Sequence, residues 1–258
     1  MEDQAQKFWD AYWVDQGITV TARTMTQILD RIKLGYLRNI LPTSGRCLEV
    51  GAGSGRLSCW LAQGGYRTVC MDFSPNALKA AQLNYHSATV TGGFLAGDGF
   101  ALPVQDQSLD VVLSTGLLEH FHDPTPIVRE MVRVLKPGGL FYSDIVPNKF
   151  SLFRSLDWLG SLKRSVIGSR QSQEGYYERA FTSGQIRTLL REGGLTDITV
   201  FPAGVVPPYV PLLYRSERLR DIQVSWVEKT QRLWRGLDRT WVAEWLGFYY
   251  FAWGIKPS

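Results

Sequence analysis

The sequence predicts an α/β fold, an open and doubly wound sheet whose strands alternate with helices. Three observations predict it. A short apolar run (Cys47, Leu48, Val50) leads into a turn of Gly51, Gly53 and Gly55, and Leu57, Trp60 and Leu61 then open a helical period. Short apolar runs and helical periods go on alternating to about residue 146. Successive predicted strands carry acids at their ends, Glu49, Asp72 and Asp98, and open α/β sheets bind ligands at those carboxyl ends.

Bulk properties bound the reading. The 258 residues are 45% hydrophobic and 20% charged, ordinary for one globular domain with insertions and a sizeable core. Cys47, Cys59 and Cys70 are odd in number and sit on core-type positions, so they read as reduced thiols rather than a disulfide framework. The histidines are His86, His120 and His122, and no Cys/His group has zinc spacing, so no metal is expected. The start, with Glu2 and Asp3, lacks a basic-then-apolar leader. The long uncharged run from Ile198 to Tyr214 holds Pro202, Pro207, Pro208 and Pro211 and is no spanning helix. The expectation is a cytoplasmic protein. Net charge is +4, but residues 1–148 carry −2, and the positive excess lies in residues 149–187 (+4) and 205–243 (+3).

The elements follow in order. In residues 1–40, Phe8, Trp9, Tyr12 and Trp13 share helical spacing, and Ile28, Leu29, Ile32, Leu34 and Leu37 mark a second helix. These two helices either pack on the sheet or form a lid over the ligand. After the glycine turn a helix runs from about Ser54 to the Gly64-Gly65 stop. Residues 67–72 read as the second strand, ending in Asp72, and Ser74-Pro75 caps a helix to His86. Asp72 lies 17 residues beyond Gly55, about where a ribose-binding carboxylate falls in a βαβ unit. Residues 93–98 make a third strand, 109–114 a fourth, 124–135 a helix, and Leu135-Lys-Pro-Gly-Gly a turn into a fifth strand ending near Val146. A helix capped by Thr182 or Ser183 precedes a sixth strand at 197–201, and 247–256 is an aromatic last strand.

The spacing of the glycines selects among ligands. A dinucleotide fingerprint needs its third small residue at position 56, which holds Arg56. What stands here is Gly-x-Gly-x-Gly two residues after Glu49, and a carboxylate there suits a cationic ligand better than a pyrophosphate. Together with Gly97-Asp-Gly-Phe-Ala-Leu-Pro103, Leu118-Glu-His120 and Leu135-Lys-Pro-Gly-Gly139, this resembles the class I S-adenosylmethionine-dependent methyltransferases, in particular the ubiquinone/menaquinone-biosynthesis type acting on small molecules. The resemblance covers residues 45–146 and resumes at about 176–201 and 247–257. It implies a Rossmann-like sheet of seven strands, mostly parallel with the last antiparallel, plus helical insertions. It implies S-adenosylmethionine as cofactor, held by Glu49, Gly51, Gly53, Gly55, Asp72, Phe73, Asp98, Gly99 and Thr115, with Asp72 on the ribose, Phe73 against adenine and Asp98 on its amino group. A small acceptor, aromatic or lipid-like, takes the methyl on O, C or N.

The resemblance lapses in residues 147–175 and 205–243, which are expected to be helical insertions forming a cap. Read as one helix, residues 215–246 place Trp226, Trp234, Trp241 and Trp245 within an arc of roughly 100°, opposite Arg232, Arg235 and Arg239. Gly236 marks a point of kinking or division. That face either roofs the pocket or touches a membrane peripherally. Its aromatics are sorted away from its cations, so no nucleic-acid surface is expected. Val206-Pro-Pro-Tyr209 resembles a tetrapeptide that amino-methylating enzymes of nucleic acids carry after the fourth strand, but here it follows the sixth and is discounted.

His120, at the carboxyl end of the fourth strand, is the candidate general base, or else a brace for its loop. Tyr177, Glu178 and Arg179 are weaker candidates for orienting the acceptor. Two rival functions stand beside methyl transfer. An NAD(P)-dependent oxidoreductase is disfavoured by Arg56 and Asp98, and a non-catalytic S-adenosylmethionine-binding module differs only in turnover.

Overall fold

The computed structural model describes residues 2–14, 17–20, 24–145, 177–206 and 216–258. Seven strands, β1 (Arg46–Val50), β2 (Arg67–Asp72), β3 (Gly93–Ala96), β4 (Leu109–Thr115), β5 (Leu135–Ile145), β6 (Thr196–Ala203) and β7 (Tyr249–Ile255), form one sheet. Their order is β3-β2-β1-β4-β5-β7-β6. Neighbours from β3 to β5 pair parallel, and β7 runs antiparallel between β5 and β6. The chain winds outward from β1 to β3 and then returns to β4 on the other side of β1. The carboxyl ends of β1 and β4 therefore flank the switch point, where such sheets open a crevice.

Helices cover both faces, as the near-continuous apolar strands require. On one face, α2 (Met25–Leu37), α3 (Arg56–Gln63) and α7 (Glu217–Arg235) press Ile28, Ile32, Leu57, Leu61, Val224 and Val227 onto Val111, Leu113, Tyr142 and Phe251. On the other, α5 (Thr125–Val134) and α6 (Ser183–Glu192) pack Ile127, Met131, Ile186 and Leu190 against Val112 and Phe141. Helix α4 (Pro75–Ser87) packs on β2 and β3, and α1 (Glu2–Trp13) packs on α4.

Local chemistry fixes the ends of these elements. Ser74 Oγ accepts the Ala77 amide at 3.2 Å with Pro75 at the first helical position, a pre-set start for α4. Thr182 and Gln185 form a reciprocal capping box on α6. The Leu-Lys-Pro-Gly-Gly stretch, expected as a turn, is the irregular start of β5: Leu135 already pairs with Leu109, and the register shifts before Val111 meets Leu140. Gly138, at φ +75°, sits in that irregularity, and its amide bonds the Lys256 carbonyl.

Two insertions were expected from the sequence. Residues 147–175 lie outside the described residues, apart from which 207–215 also fall outside. Beyond them the single Trp-bearing helix proves to be two. Helix α7 stops at Gly236, and Thr240 accepts the Val242 amide at 3.2 Å to start α8 (Trp241–Leu246). Two of the arginines set opposite the Trp arc lie over aromatic rings: Arg235 is 5.2 Å from the Tyr36 ring centre, and Arg239, itself exposed, is 4.1 Å from that of Phe201. An Arg31–Glu228 pair at 2.8 Å and a Tyr36–Asp238 bond at 2.7 Å fasten this segment to α2.

Gly55 shows how close the helix–strand contact is. Its φ is +61°, and a Cβ there would lie 2.8 Å from Cys70 Sγ and 3.0 Å from Ala81 Cβ. Gly55→Ala combines left-handed backbone strain with overpacking, a cost of about 2 kcal/mol. The melting midpoint is expected to fall by roughly 4–8 °C in thermal unfolding; an unchanged midpoint would contradict the packing described.

Candidate functional site

The first two β-to-α turns are locked together at the switch point. Asp72, at the end of β2, accepts the Gly53 amide on one carboxylate oxygen and the Ser74 amide on the other, each at 2.9 Å. Gly53 has φ +52°, and a Cβ there would meet the Trp13 ring at 2.5 Å, so only glycine fits between the loop and α1. Asp72 is buried, and burial raises its pKa against the pull of those amide bonds.

Glu49, on β1, is 1% exposed. Its carboxylate accepts the Ser58 amide at 3.1 Å, the Ser58 hydroxyl at 2.5 Å and the Thr115 hydroxyl at 3.3 Å. Burial nevertheless raises its pKa. Asp98 lies just past β3 in a more open setting and accepts the Phe100 amide at 3.0 Å.

These groups meet in one cavity of about 630 Å³. Of the residues singled out from the sequence, Glu49, Gly51, Gly53, Asp72, Phe73, Asp98, Gly99, Thr115 and His120 line it. Gly55 does not, because it faces Cys70 and Ala81 under the loop. Tyr177 reaches the cavity wall, whereas Glu178 and Arg179 do not line it. Arg179 braces the loop after β4, its amide donating to the Glu119 carbonyl at 2.7 Å and its guanidinium to that of His122 at 3.2 Å. No described residue of α7 or α8 lines the cavity.

His120 sits in a short 3₁₀ turn, Leu118–His120, with Nδ1 2.7 Å from the Tyr177 carbonyl and its ring 4.8 Å from that of Trp9. Burial holds its pKa below the usual histidine value, against the Tyr177 carbonyl, which favours the charged ring. The Tyr177 carbonyl fixes the ring's orientation, and the Gly116 backbone also favours its charged form.

Sequence reasoning left α1 open between packing on the sheet and a lid, and it missed Phe121 and the Asp30–Arg56 pair. Helix α1 contributes Gln6, Trp9 and Trp13. It is hooked in place by Asp10, which accepts from the Ser74 hydroxyl at 2.7 Å and the Asn76 amide at 3.2 Å. The helical aromatics were visible, but their partner across 64 residues was not. Phe121, edge-on to Phe100 at 5.4 Å, completes an aromatic end. Asp30 and Arg56, paired at 2.7 Å, close another side.

Behind that pair lies a buried ionic cluster. Lys33 Nζ stands 3.1 Å from Asp144 and 3.5 Å from Asp30. Burial alone lowers its pKa, but the surrounding carboxylates outweigh this, so the ammonium stays charged.

Residues 48–143 match the family model described as a methyltransferase domain. The matched stretch runs from within β1 into β5. The chain is 33% identical over 153 residues to a ubiquinone biosynthesis O-methyltransferase of Xanthomonas oryzae pv. oryzae, covering 57% of this chain and 61% of that protein. The chain thus spans about three fifths of the length of the curated relatives it matches. An uncharacterized methyltransferase of Mycobacterium leprae is 37% identical over 100 residues, 38% of this chain and 36% of that one. Among solved structures, a complex of the Haloferax volcanii Trm112 methyltransferase activator and a methyltransferase superposes with TM-score 0.60 at 20% identity, over 97% of this chain and 98% of that one. The Haemonchus contortus phosphoethanolamine N-methyltransferase 2, solved with S-adenosylhomocysteine, superposes at 0.55 and 21% identity, over 88% and 53%. The chain therefore shares its fold with these proteins.

Within the matched stretch, Glu119 offers a measurable electrostatic signature. It is 2% exposed, one carboxylate oxygen lacks a partner, and burial pushes its pKa from 4.5 up to about 8. The folded chain keeps a proton that the unfolded chain releases over that window, so stability falls as pH rises through it. Glu119→Gln removes the titration. The stability of this variant relative to the parent is expected to grow by roughly 2–4 kcal/mol between pH 5 and pH 8 in denaturant unfolding. A difference independent of pH would contradict the buried, protonated assignment.

Proposed function

We propose that this chain transfers a methyl group from S-adenosylmethionine to a small acceptor, aromatic or lipid-like, on O, C or N. The observation that carries the reading is the convergence of Glu49, Asp72 and Asp98 with the Gly51–Gly53 loop on one cavity inside a methyltransferase domain. The curated relatives that match over 153 residues are named ubiquinone biosynthesis O-methyltransferases, so an oxygen nucleophile is the first assignment.

The residues fit the cofactor part by part. Each oxygen of Asp72 keeps a lone pair beyond its amide bond, enough to accept both ribose hydroxyls. Phe73 offers a ring to the adenine, and Asp98 with Gly99 offers an acceptor and an open backbone to its amino edge. The backbone of Gly51 and Gly53, with Glu49 and Thr115 beside it, takes the amino-acid end. Gly55 acts from below by seating α3 against β2.

When bound, S-adenosylmethionine supplies an electrophilic methyl group on a cationic sulfur. Carboxylates around the cavity favour that cation, and no acid is needed for a thioether leaving group. The chain's own share is alignment and exclusion of water, with Trp9 and Trp13 of α1 serving as the lid. His120, neutral and oriented by the Tyr177 carbonyl, accepts the acceptor's proton where the nucleophile carries one.

Calorimetry with the purified chain is expected to show binding of S-adenosylmethionine and none of NAD(P). Asp72→Asn, which removes the charge from two hydrogen bonds, is expected to weaken binding by roughly 10- to 100-fold. With phenolic acceptors, formation of S-adenosylhomocysteine is expected, and His120→Gln should lower kcat by about 100-fold while leaving cofactor affinity nearly unchanged. Cofactor binding without turnover across O, N and C acceptors would point to a binding module instead.

A further inference from the structure

The outer surface of α7 and α8 carries a sorted pattern that the proposed cofactor site does not use. Leu219, Ile222, Trp226 and Leu233 are exposed, Leu233 to 76% and Trp226 to 50%. At 100° per residue these four fall within an arc of about 60°. This stripe is not the core seam of α7, because Gln223, Val224 and Val227 form the buried side. On α8, Trp241 and Trp245 are four residues apart on one face and 77% and 60% exposed.

The charges flank the stripe on one side. Arg218, Lys229 and Arg232 are exposed and fall on the wheel within about 60° of one another, beside the apolar arc. Asp221 is the exposed acid next to them, while Glu228 is held by Arg31 at 2.8 Å. Exposed apolar side chains with indoles on both helices, and cations along one side of the α7 stripe, match the boundary between acyl chains and anionic headgroups. A second copy would bring the same three cations against this face and meet like charge.

We propose that the α7–α8 face docks on an anionic lipid surface. The chain then lies on the membrane without spanning it, since among the described residues no helix is long and apolar enough to cross one. Helix α2 links this face to the cavity: Asp30 lines the cavity, and the adjacent Arg31 holds Glu228 of α7. An acceptor dissolved in the bilayer would thus meet a protein anchored one helix away from its site. The docking itself is independent of whether methyl transfer is the reaction.

Flotation of the full chain with vesicles tests this. With phosphatidylcholine vesicles containing phosphatidylglycerol, the chain is expected to float, and less so as salt is raised; with phosphatidylcholine alone it is expected to stay at the bottom. The triple change Arg218→Glu, Lys229→Glu, Arg232→Glu is expected to weaken binding by at least roughly tenfold. A second variant, Leu233→Ser with Trp241→Ser and Trp245→Ser, is expected to lose flotation, and both should keep the parent's melting midpoint because every changed side chain is exposed. Failure of the parent to float with anionic vesicles, equal flotation with neutral ones, or parent-like flotation of both variants would overturn the proposal. So would a dimer in sedimentation that the same substitutions dissociate, which would assign the face to a second copy.

Discussion

Two backbone amides, from Gly53 and Ser74, meet on the carboxylate of Asp72, and the rest of the site depends on that joint. It ties the turn after β1 to the turn after β2 and fixes both at the sheet's switch point. Ser74 extends the joint in two directions, capping α4 through Ala77 and donating its hydroxyl to Asp10 of α1. One acid thereby sets the glycine loop, the start of a helix and the aromatic wall together. A loop held by charge-assisted hydrogen bonds before a ligand arrives loses little freedom on binding.

The electrostatics around this joint favour a cation. Glu49, Asp72 and Asp98 face the cavity, and the neighbouring Asp30 is matched by Arg56 and Lys33 rather than left bare. Burial raises the pKa of Glu49 and Asp72, while hydrogen bonds from Ser58, Gly53 and Ser74 work against it, and the balance keeps these acids where amides and hydroxyls can hold them. The cavity's other end is aromatic, with Trp9, His120 and Phe121. A charged, polar half and a flat, greasy half suit the proposed sulfonium donor and aromatic acceptor.

Much of this was legible in the residues, because the signals were local. The glycine turn, the strand-end acids and the Ser74-Pro75 cap each act within a few positions of their own place in the chain. Gly55 was legible as a glycine but not in its role: it takes the helix–strand contact that a dinucleotide fingerprint assigns to the next position, where Arg56 stands. Asp30 and Lys33 were invisible because, on sequence alone, charges three apart on a helix read as a solvated face; only the fold brings Asp144 from the end of β5 to bury them. The Trp-bearing segment misled for a related reason. A wheel drawn through Gly236 assumes one axis, and the chain breaks that axis there, laying Arg235 and Arg239 over the rings of Tyr36 and Phe201 and leaving three indoles outside.

The proposed ligand is one cationic sulfur compound lying across the carboxyl ends of β1, β2 and β3, held by three acids at once. A crystal structure of the chain with S-adenosylhomocysteine, the cofactor without its methyl, is the decisive measurement. Both ribose hydroxyls are expected on Asp72, the adenine between Phe73 and Asp98, and the amino-acid end over Gly51 and Gly53. A ligand seated elsewhere, or one that leaves Asp72 bonded only to Gly53 and Ser74, would contradict it.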